Sequence, residues 1–320
     1  MTLRIGILGA ARVATYAMIA AAKQVKGVQV IAVAARDPER AKKYAADHDI
    51  PKTYPDYQAL IEASDVDAVY NALPPNLHAR WSVASVEVGK PVLCEKPFAL
   101  SVAETVAMVD AETRTGKIIM EAQHTYYHPR HARIRQIVQS GLIGNVRHIS
   151  GHFDVPIPQT ADEIRWNGEV GGGALWDLGV YPVFWLRATM GEEPMLLSAS
   201  HALNDRGADK WTDATFGFES GATGSISCSM ERPFAAWLKV EGEQGELFVD
   251  NPLSPPEQSL SITKDGVTTK EQFSWRPTYE FQLEAFRDAV LKGAPVQTRG
   301  ADSLATIRLV ENIRALASKG

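Results

Sequence analysis

Lys96 in Glu95-Lys96-Pro97, and the pair Asp177 and Tyr181 in GGGALWDLGVYP, are the residues of this chain best suited to moving a proton. Proline disfavours helical geometry at the residue before it, so Lys96 is turned outward at the end of a strand. Asp177 and Tyr181 stand four residues apart on a predicted helix and therefore share a face. Tyrosine alone is a poor base, with a reference pKa of about 10. A nearby lysine cation favours the phenolate and brings it toward working pH, as proton removal from an alcohol requires. The triple glycine 171–173 would let the backbone pass close to a ligand, and Gly179 would leave the helix surface open. Ordinary helix packing with a capping acid is the plainer alternative for the pair.

A second constellation lies in LRIGILGAARVA, a strand running into a turn of the dinucleotide-binding type. There the backbone of Gly9, Ala10, Ala11, Arg12 and Val13 would cradle a pyrophosphate at a helix N-terminus. The three fingerprint positions read Gly9, Ala11 and Ala14, so only the first keeps its glycine. Alanine still permits close approach where its backbone needs no positive φ. At the end of the second strand, Ala35 replaces the acid that would bind a ribose 2′-hydroxyl, and Arg36 follows. A guanidinium there suits a 2′-phosphate, which favours NADP over NAD. The rival is a solvated Arg36 with Asp37 on the ribose, although Asp37 also suits the N-cap before Pro38. Leu73, Pro74, Asn76 and His78 follow another predicted strand, at the sheet edge where such folds bind ligands. Asn76 could equally cap the next helix.

The elements behind these residues change character once. Over residues 1–122, strands at 3–9, 28–35, 67–73, 91–95 and 118–122 alternate with helices at 12–23, 38–48, 56–63, 77–89 and 101–115, predicting a doubly wound parallel sheet. Over 123–320 the prediction is an α+β domain. A helix at 130–140, a strand at 147–155 and a helix at 175–189 precede alternating runs from 196 to 250, which read as a large, mostly antiparallel open sheet. Helices near 278–292 and 302–317 close the chain and are placed to pack back on the first domain. Pro252-Leu253-Ser254-Pro255-Pro256 reads as a surface loop.

A chain of 320 residues with net charge −5 has no basic block suited to nucleic acid or an anionic membrane. No apolar run reaches the roughly 20 residues of a membrane span. Cys94 and Cys228 have neither metal nor disulfide spacing and read as buried small hydrophobes. A first strand starting at Leu3 leaves no room for a signal peptide, so the expectation is a cytoplasmic protein. His124, His128 and His131 have helix-like spacing, but Pro129 interrupts it and no acid or thiol partner is evident; no metal is expected.

Together, Glu95-Lys96-Pro97, Asp177, Tyr181 and the opening turn resemble the glucose–fructose oxidoreductase / inositol dehydrogenase (Gfo/Idh/MocA) family, nearest its NADP-dependent dihydrodiol and D-xylose dehydrogenase branch. The likeness is strongest over 3–190. It implies a Rossmann domain followed by a substrate-binding and oligomerisation domain, with Lys96 beside the nicotinamide and the reacting hydroxyl. It adds Glu95, Arg165 and Trp166 as cofactor neighbours, and His124, Tyr127 and Trp166 beside Asp177 and Tyr181 as substrate contacts. Many members carry histidine at the Tyr181 position. The implied reaction is hydride transfer between a CH–OH group of a cyclic sugar, polyol or vicinal diol and NADP. The alternatives are a keto-sugar reductase, an NAD-dependent glycosidase using transient oxidation, and a non-catalytic nucleotide-sensing regulator. Apolar residues at successive positions, as in Leu196-Leu197 and Trp237-Leu238, leave part of a sheet to be covered and imply a homodimer or homotetramer.

Overall fold

The structure, a computed structural model, describes residues 1–254 and 259–319. It divides into two compact units, Met1–His124 with Tyr279–Leu304, and Thr125–Thr278 with Ala305–Gly320.

The first unit is built on a six-stranded parallel sheet of order β3-β2-β1-β4-β5-β6. Its strands are β1 (Leu3–Leu8), β2 (Val28–Ala34), β3 (Lys52–Tyr54), β4 (Ala68–Asn71), β5 (Val92–Cys94) and β6 (Ile119–Glu121). Leu3, Ile5, Ile7, Leu8, Val69, Tyr70, Val92 and Leu93 are wholly buried, as expected of parallel strands covered on both faces. The first helix, α1, is a run of three pieces: α-helical Arg12–Ala14, π-helical Thr15–Ala20 and α-helical Ala21–Gln24. Further crossovers are α2 (Pro38–Asp47), α3 (Tyr57–Glu62), α4 (His78–Glu87) and α5 (Val102–Thr115). Asp37, Asp56 and Ser101 cap α2, α3 and α5 with their side chains. The expected strands and helices are present, and β3 is an addition. Two of its three side chains are exposed, so no hydrophobic period announces it.

The second unit carries an eight-stranded sheet of order β14-β13-β12-β11-β7-β10-β9-β8. The strands are β7 (Val146–Asp154), β8 (Met195–Leu203), β9 (Asp209–Gly217), β10 (Thr223–Ser229), β11 (Ala235–Gly242), β12 (Gly245–Asp250), β13 (Ser259–Lys264) and β14 (Val267–Gln272). Only β7 and β10 pair in parallel; every other neighbour is antiparallel. Beside the sheet run α6 (Pro129–Gln139) and α7, whose π-helical start Leu175–Gly179 continues into α-helical Val180–Met190. The chain closes with α8 (Thr278–Lys292) and α9 (Ala301–Ala317). α7 lies on one face of the sheet, and glycines make room for it. A Cβ on Gly151 would meet Pro182 at 2.8 Å and Leu186 at 3.2 Å.

Three expectations for this unit need correction. The helix around Asp177 begins as a π-turn rather than an α-helix. Gly179 does not leave an open surface, because a Cβ there would meet the Cys228 sulfur at 2.8 Å. The 252–256 segment starts buried: Pro252 is enclosed, and its carbonyl accepts from Arg130 Nη2 at 2.6 Å. Pro255 and Pro256 of that segment lie outside the described residues.

Candidate active site

The first unit gathers its candidate residues at the C-terminal edge of the parallel sheet. Gly9 follows β1 at φ +97°, and a Cβ there would meet the Ala72 carbonyl oxygen and the Leu73 side chain, both at 3.2 Å. Glycine is therefore required here, whereas Ala11 has φ −97° and ψ 142°, which alanine adopts freely. The helix behind Ala11 has no side-chain cap, so its first N–H groups are left for an anion. The turn's carbonyls are held from the other side. Arg40 Nη2 donates to Ala10 O at 2.9 Å, and Tyr44 Oη donates to Ala11 O at 2.9 Å.

Arg36 is exposed, Ala35 is buried, and no carboxylate occupies the end of β2. Asp37 accepts from Glu39 N at 3.0 Å as the cap of α2. Arg40 is a residue that the sequence alone does not point to. It lies one turn beyond the cap, and only its bond back to Ala10 shows that α2 brings a second guanidinium to the turn.

Lys96 follows β5 and precedes a cis peptide to Pro97. His78, expected near the ribose, is enclosed and spans two loops: Nδ1 lies 2.8 Å from Pro97 O and Nε2 lies 2.8 Å from Leu73 O. Two carbonyls would suit an imidazolium, yet burial, reinforced by Lys96, lowers the pKa. The neutral ring, donating to one carbonyl at a time, is the consistent state. His78 thus ties the 73–78 loop to the lysine turn. Asn76 is exposed in a 3-10 turn and does not cap α4, whose N-cap is Leu77 without a side-chain bond. Asn71 holds this corner together, with its amide on His78 O and Ser82 Oγ, both at 3.1 Å. His124 is enclosed and lies tilted against Tyr279 at 4.1 Å between centroids. Burial, and then Lys96, lowers its pKa to about 3, so it is neutral.

In the second unit Asp177 is half-buried, and its carboxylate lies 3.8 Å from Arg165 Nη1. Arg165 is itself held by Glu163 through two bonds of 2.9 and 2.7 Å. Tyr181 is 6% exposed, its ring edge-on to Phe153 at 5.7 Å and tilted against Trp185 at 6.0 Å. Trp166 is buried and donates to Ile157 O at 3.1 Å, which fixes the loop that carries Arg165.

Two of the three glycines are required by the chain itself. A Cβ on Gly172 would meet the carbonyl oxygens of Arg165 and Ile164 at 2.6 Å. Gly173, at φ +132°, is pressed against the Asp209 carboxylate. That carboxylate in turn accepts from Leu175 N at 2.7 Å, anchoring the start of α7. Tyr127 is half-buried against Tyr126 at 5.3 Å. His128 caps α6, and His131 lies buried within that helix, lowered by burial to about 3. Among the described residues no group of three or more His, Cys, Asp or Glu side chains could hold a metal ion.

Residues 3–123 match the model of the oxidoreductase family with an NAD-binding Rossmann fold, and residues 131–248 match the GFO/IDH/MocA C-terminal domain. The chain is 32% identical over 320 residues to the D-xylose 1-dehydrogenase (NADP(+)) 2 of Haloferax volcanii, covering 98% of this chain and 97% of that one. It is 35% identical over 324 residues to the dTDP-3,4-didehydro-2,6-dideoxy-alpha-D-glucose 3-reductase of Streptomyces violaceoruber, covering 98% and 94%. A solved 3-ketoreductase from Actinomadura kijaniata, in complex with NADP and TDP-benzene, superposes with a TM-score of 0.92 at 28% identity, covering 99% of this chain and 98% of that one. With its sheet-edge turn, its lysine loop and both domain matches, the chain belongs to the Gfo/Idh/MocA oxidoreductase family.

Proposed function

We propose that this chain is an NADP-dependent dehydrogenase acting on a CH–OH group of a cyclic sugar, polyol or vicinal diol. The observation that carries the reading is the placing of Lys96 on the same sheet edge as the Gly9–Val13 turn, two strands away through β4. The residues fit the cofactor: an uncapped helix start behind small side chains, a β2 end without a carboxylate, and Arg36 and Arg40 for a 2′-phosphate. When bound, the nicotinamide supplies the ring carbon that takes the hydride.

The chain's own residues handle the proton. Tyr181 accepts it from the substrate hydroxyl, Lys96 stabilises the phenolate, and Asp177 orients the hydroxyl. Arg165, held by Glu163, sets the position of Asp177. In this reading His124 and Tyr127 are the further substrate contacts, and Leu73 and Pro74 are neighbours of the ribose. Run in reverse, the same groups reduce a keto-sugar, a second reading favoured by the 3-reductases among the relatives. Incubation of purified protein with NADP and panels of aldoses, inositols and aromatic dihydrodiols tests the assignment. Reduction of NADP by at least one class is expected, and reduction by none, together with no NADPH oxidation by keto-sugars, would contradict it.

The large sheet supports a homodimer or homotetramer. One face is covered by α7; the other presents Ser150, His152, Thr215, Ser225, Ser227 and Trp237 around a depression of about 350 Å³, with Met195 and Leu197 exposed at the β8 edge. Light scattering at twice or four times 35.0 kDa is expected, and a monomer mass would refute it. Cys94 and Cys228 are free and buried, which suits a cytoplasmic protein. No helix among the described residues is long and apolar enough to cross a membrane.

A further inference from the structure

We infer that Tyr70 is a positioning residue for Lys96, acting through the carboxylate of Glu95; the inference rests on the reading of Lys96 as the lysine of the active site. Tyr70 lies on β4 in the middle of the parallel sheet and is wholly enclosed. Packing at such a position is served by an aromatic ring alone, and a buried hydroxyl is costly unless it is paired. Its partner is the motif itself: Tyr70 Oη donates to Glu95 Oε1 at 2.5 Å. The second carboxylate oxygen, Oε2, lies 3.3 Å from the Lys96 backbone N–H, which donates to it. Glu95 N donates to Asn71 O at 3.0 Å, so the glutamate is pinned to β4 by both backbone and side chain. A shift of this carboxylate therefore moves the lysine's own backbone.

Tyr16, from the π-helical turn of α1, packs against Tyr279 of α8 at 5.6 Å, and Tyr279 lies tilted against His124 at 4.1 Å. Burial, and then the Glu95 charge, raises the Tyr70 phenol well above its ordinary value; Tyr279 is raised by burial, then by Tyr16 and Glu95. Both phenols stay neutral and keep a proton to donate. His124 is neutral beside Lys96. The bond from the buried phenol holds the carboxylate against the turn that presents Lys96.

The test uses the full chain carrying Tyr70→Phe, which keeps the ring and removes only the hydroxyl. The expected result is a fall in kcat of about 10- to 100-fold, the range for losing one hydrogen bond to a charged group. NADPH affinity should stay unchanged, and the acidic limb of the kcat profile should move to higher pH because the carboxylate has lost a stabilising donor. Wild-type kcat with an unmoved pH profile would overturn the inference. If Tyr70→Phe does not fold, Glu95→Gln replaces it: lost turnover with NADPH still bound supports the inference, and wild-type turnover overturns it. Lys96→Met separates the two levels. An active Lys96→Met enzyme overturns the reading of the lysine and this inference with it. An inactive one beside a wild-type-like Tyr70→Phe overturns only the role of Tyr70.

Discussion

The two units hold their candidate chemistry in opposite ways. In the first, Gly9, Leu73 and Lys96 stand on loops at the ends of parallel strands, and the loops are tied to each other by His78, Asn71 and Arg40. In the second, Asp177 and Tyr181 ride on a helix clamped to a sheet, with Gly151, Gly173 and Gly179 allowing contact that no side chain would permit. In the first arrangement Lys96 itself is only partly buried, so its side chain can change with little loss of packing. In the second, residues that position the site are also residues of the core, so substitutions there disturb chemistry and stability together.

Lys96→Met should break this comparison most sharply if it is wrong. Loss of the cation should lower kcat by about 10²–10⁴-fold, the usual worth of assisted proton transfer, with the thermal midpoint nearly unchanged. A large fall in midpoint would mean that the lysine loop is structural. Gly173→Ala asks the converse in the second unit. At φ +132° and against Asp209, a methyl group should cost about 2–5 kcal/mol in chemical denaturation. A stable, active variant would show that the α7 start is less tightly clamped than its packing implies.

Acid should expose a further contrast. Burial lowers His78 and, to about 3, His124 in the first unit, and His128 to about 4 and His131 to about 3 in the second. The folded state resists protonation while unfolded histidine takes a proton near 6.5, so stability falls as pH drops from about 6.5 toward 4. Each histidine contributes up to about 1.4 kcal/mol per pH unit in that window. Glu121, raised to about 7 by burial, works against this in the first unit: its neutral form is favoured in the fold, a contribution present below about 4.5 and lost as pH rises through 7. Hydrogen exchange at pH 7 and pH 5 should therefore show protection falling more in the second unit. An equal fall in both would contradict the assignment of these burial effects.

The smallest expected effects concern the two arginines. Arg36→Ala and Arg40→Ala should each raise the NADP KM by about tenfold, roughly one charge-assisted contact, and leave kcat nearly intact. Equal efficiency with NAD and NADP in the unaltered enzyme would sink the 2′-phosphate assignment.

What could be read without coordinates follows the same division. The strands of the first sheet show as β-branched runs because both faces are buried, and Asp37, Ser101 and Gly9 declare a cap or a turn by residue type. β3, β13 and β14 were not read. KTY and VTTKEQ are mostly exposed, and SLSITK is half polar, so none carries a clear hydrophobic run. The π-turns in α1 and α7 leave no mark either, since an extra residue in a helical turn changes no residue type. The residues missed at the site share one property. Arg40, Asn71 and Tyr70 each belong to a regular element by pattern and gain a role only from a partner far along the chain, Ala10, His78 or Glu95. Gly179 suggests an open helix surface by residue type, and only the fold shows that the Cys228 sulfur fills the space.

The central claim is that Tyr181 carries the substrate proton, and kcat measured against pH for wild type and Tyr181→Phe tests it most directly. The substitution keeps the ring packed between Phe153 and Trp185, so folding and NADP binding should persist. Turnover should fall by about 10²–10⁴-fold, and the pH limb that reports the phenol should vanish. A phenylalanine variant with wild-type turnover and an unchanged profile would show that another group is the base.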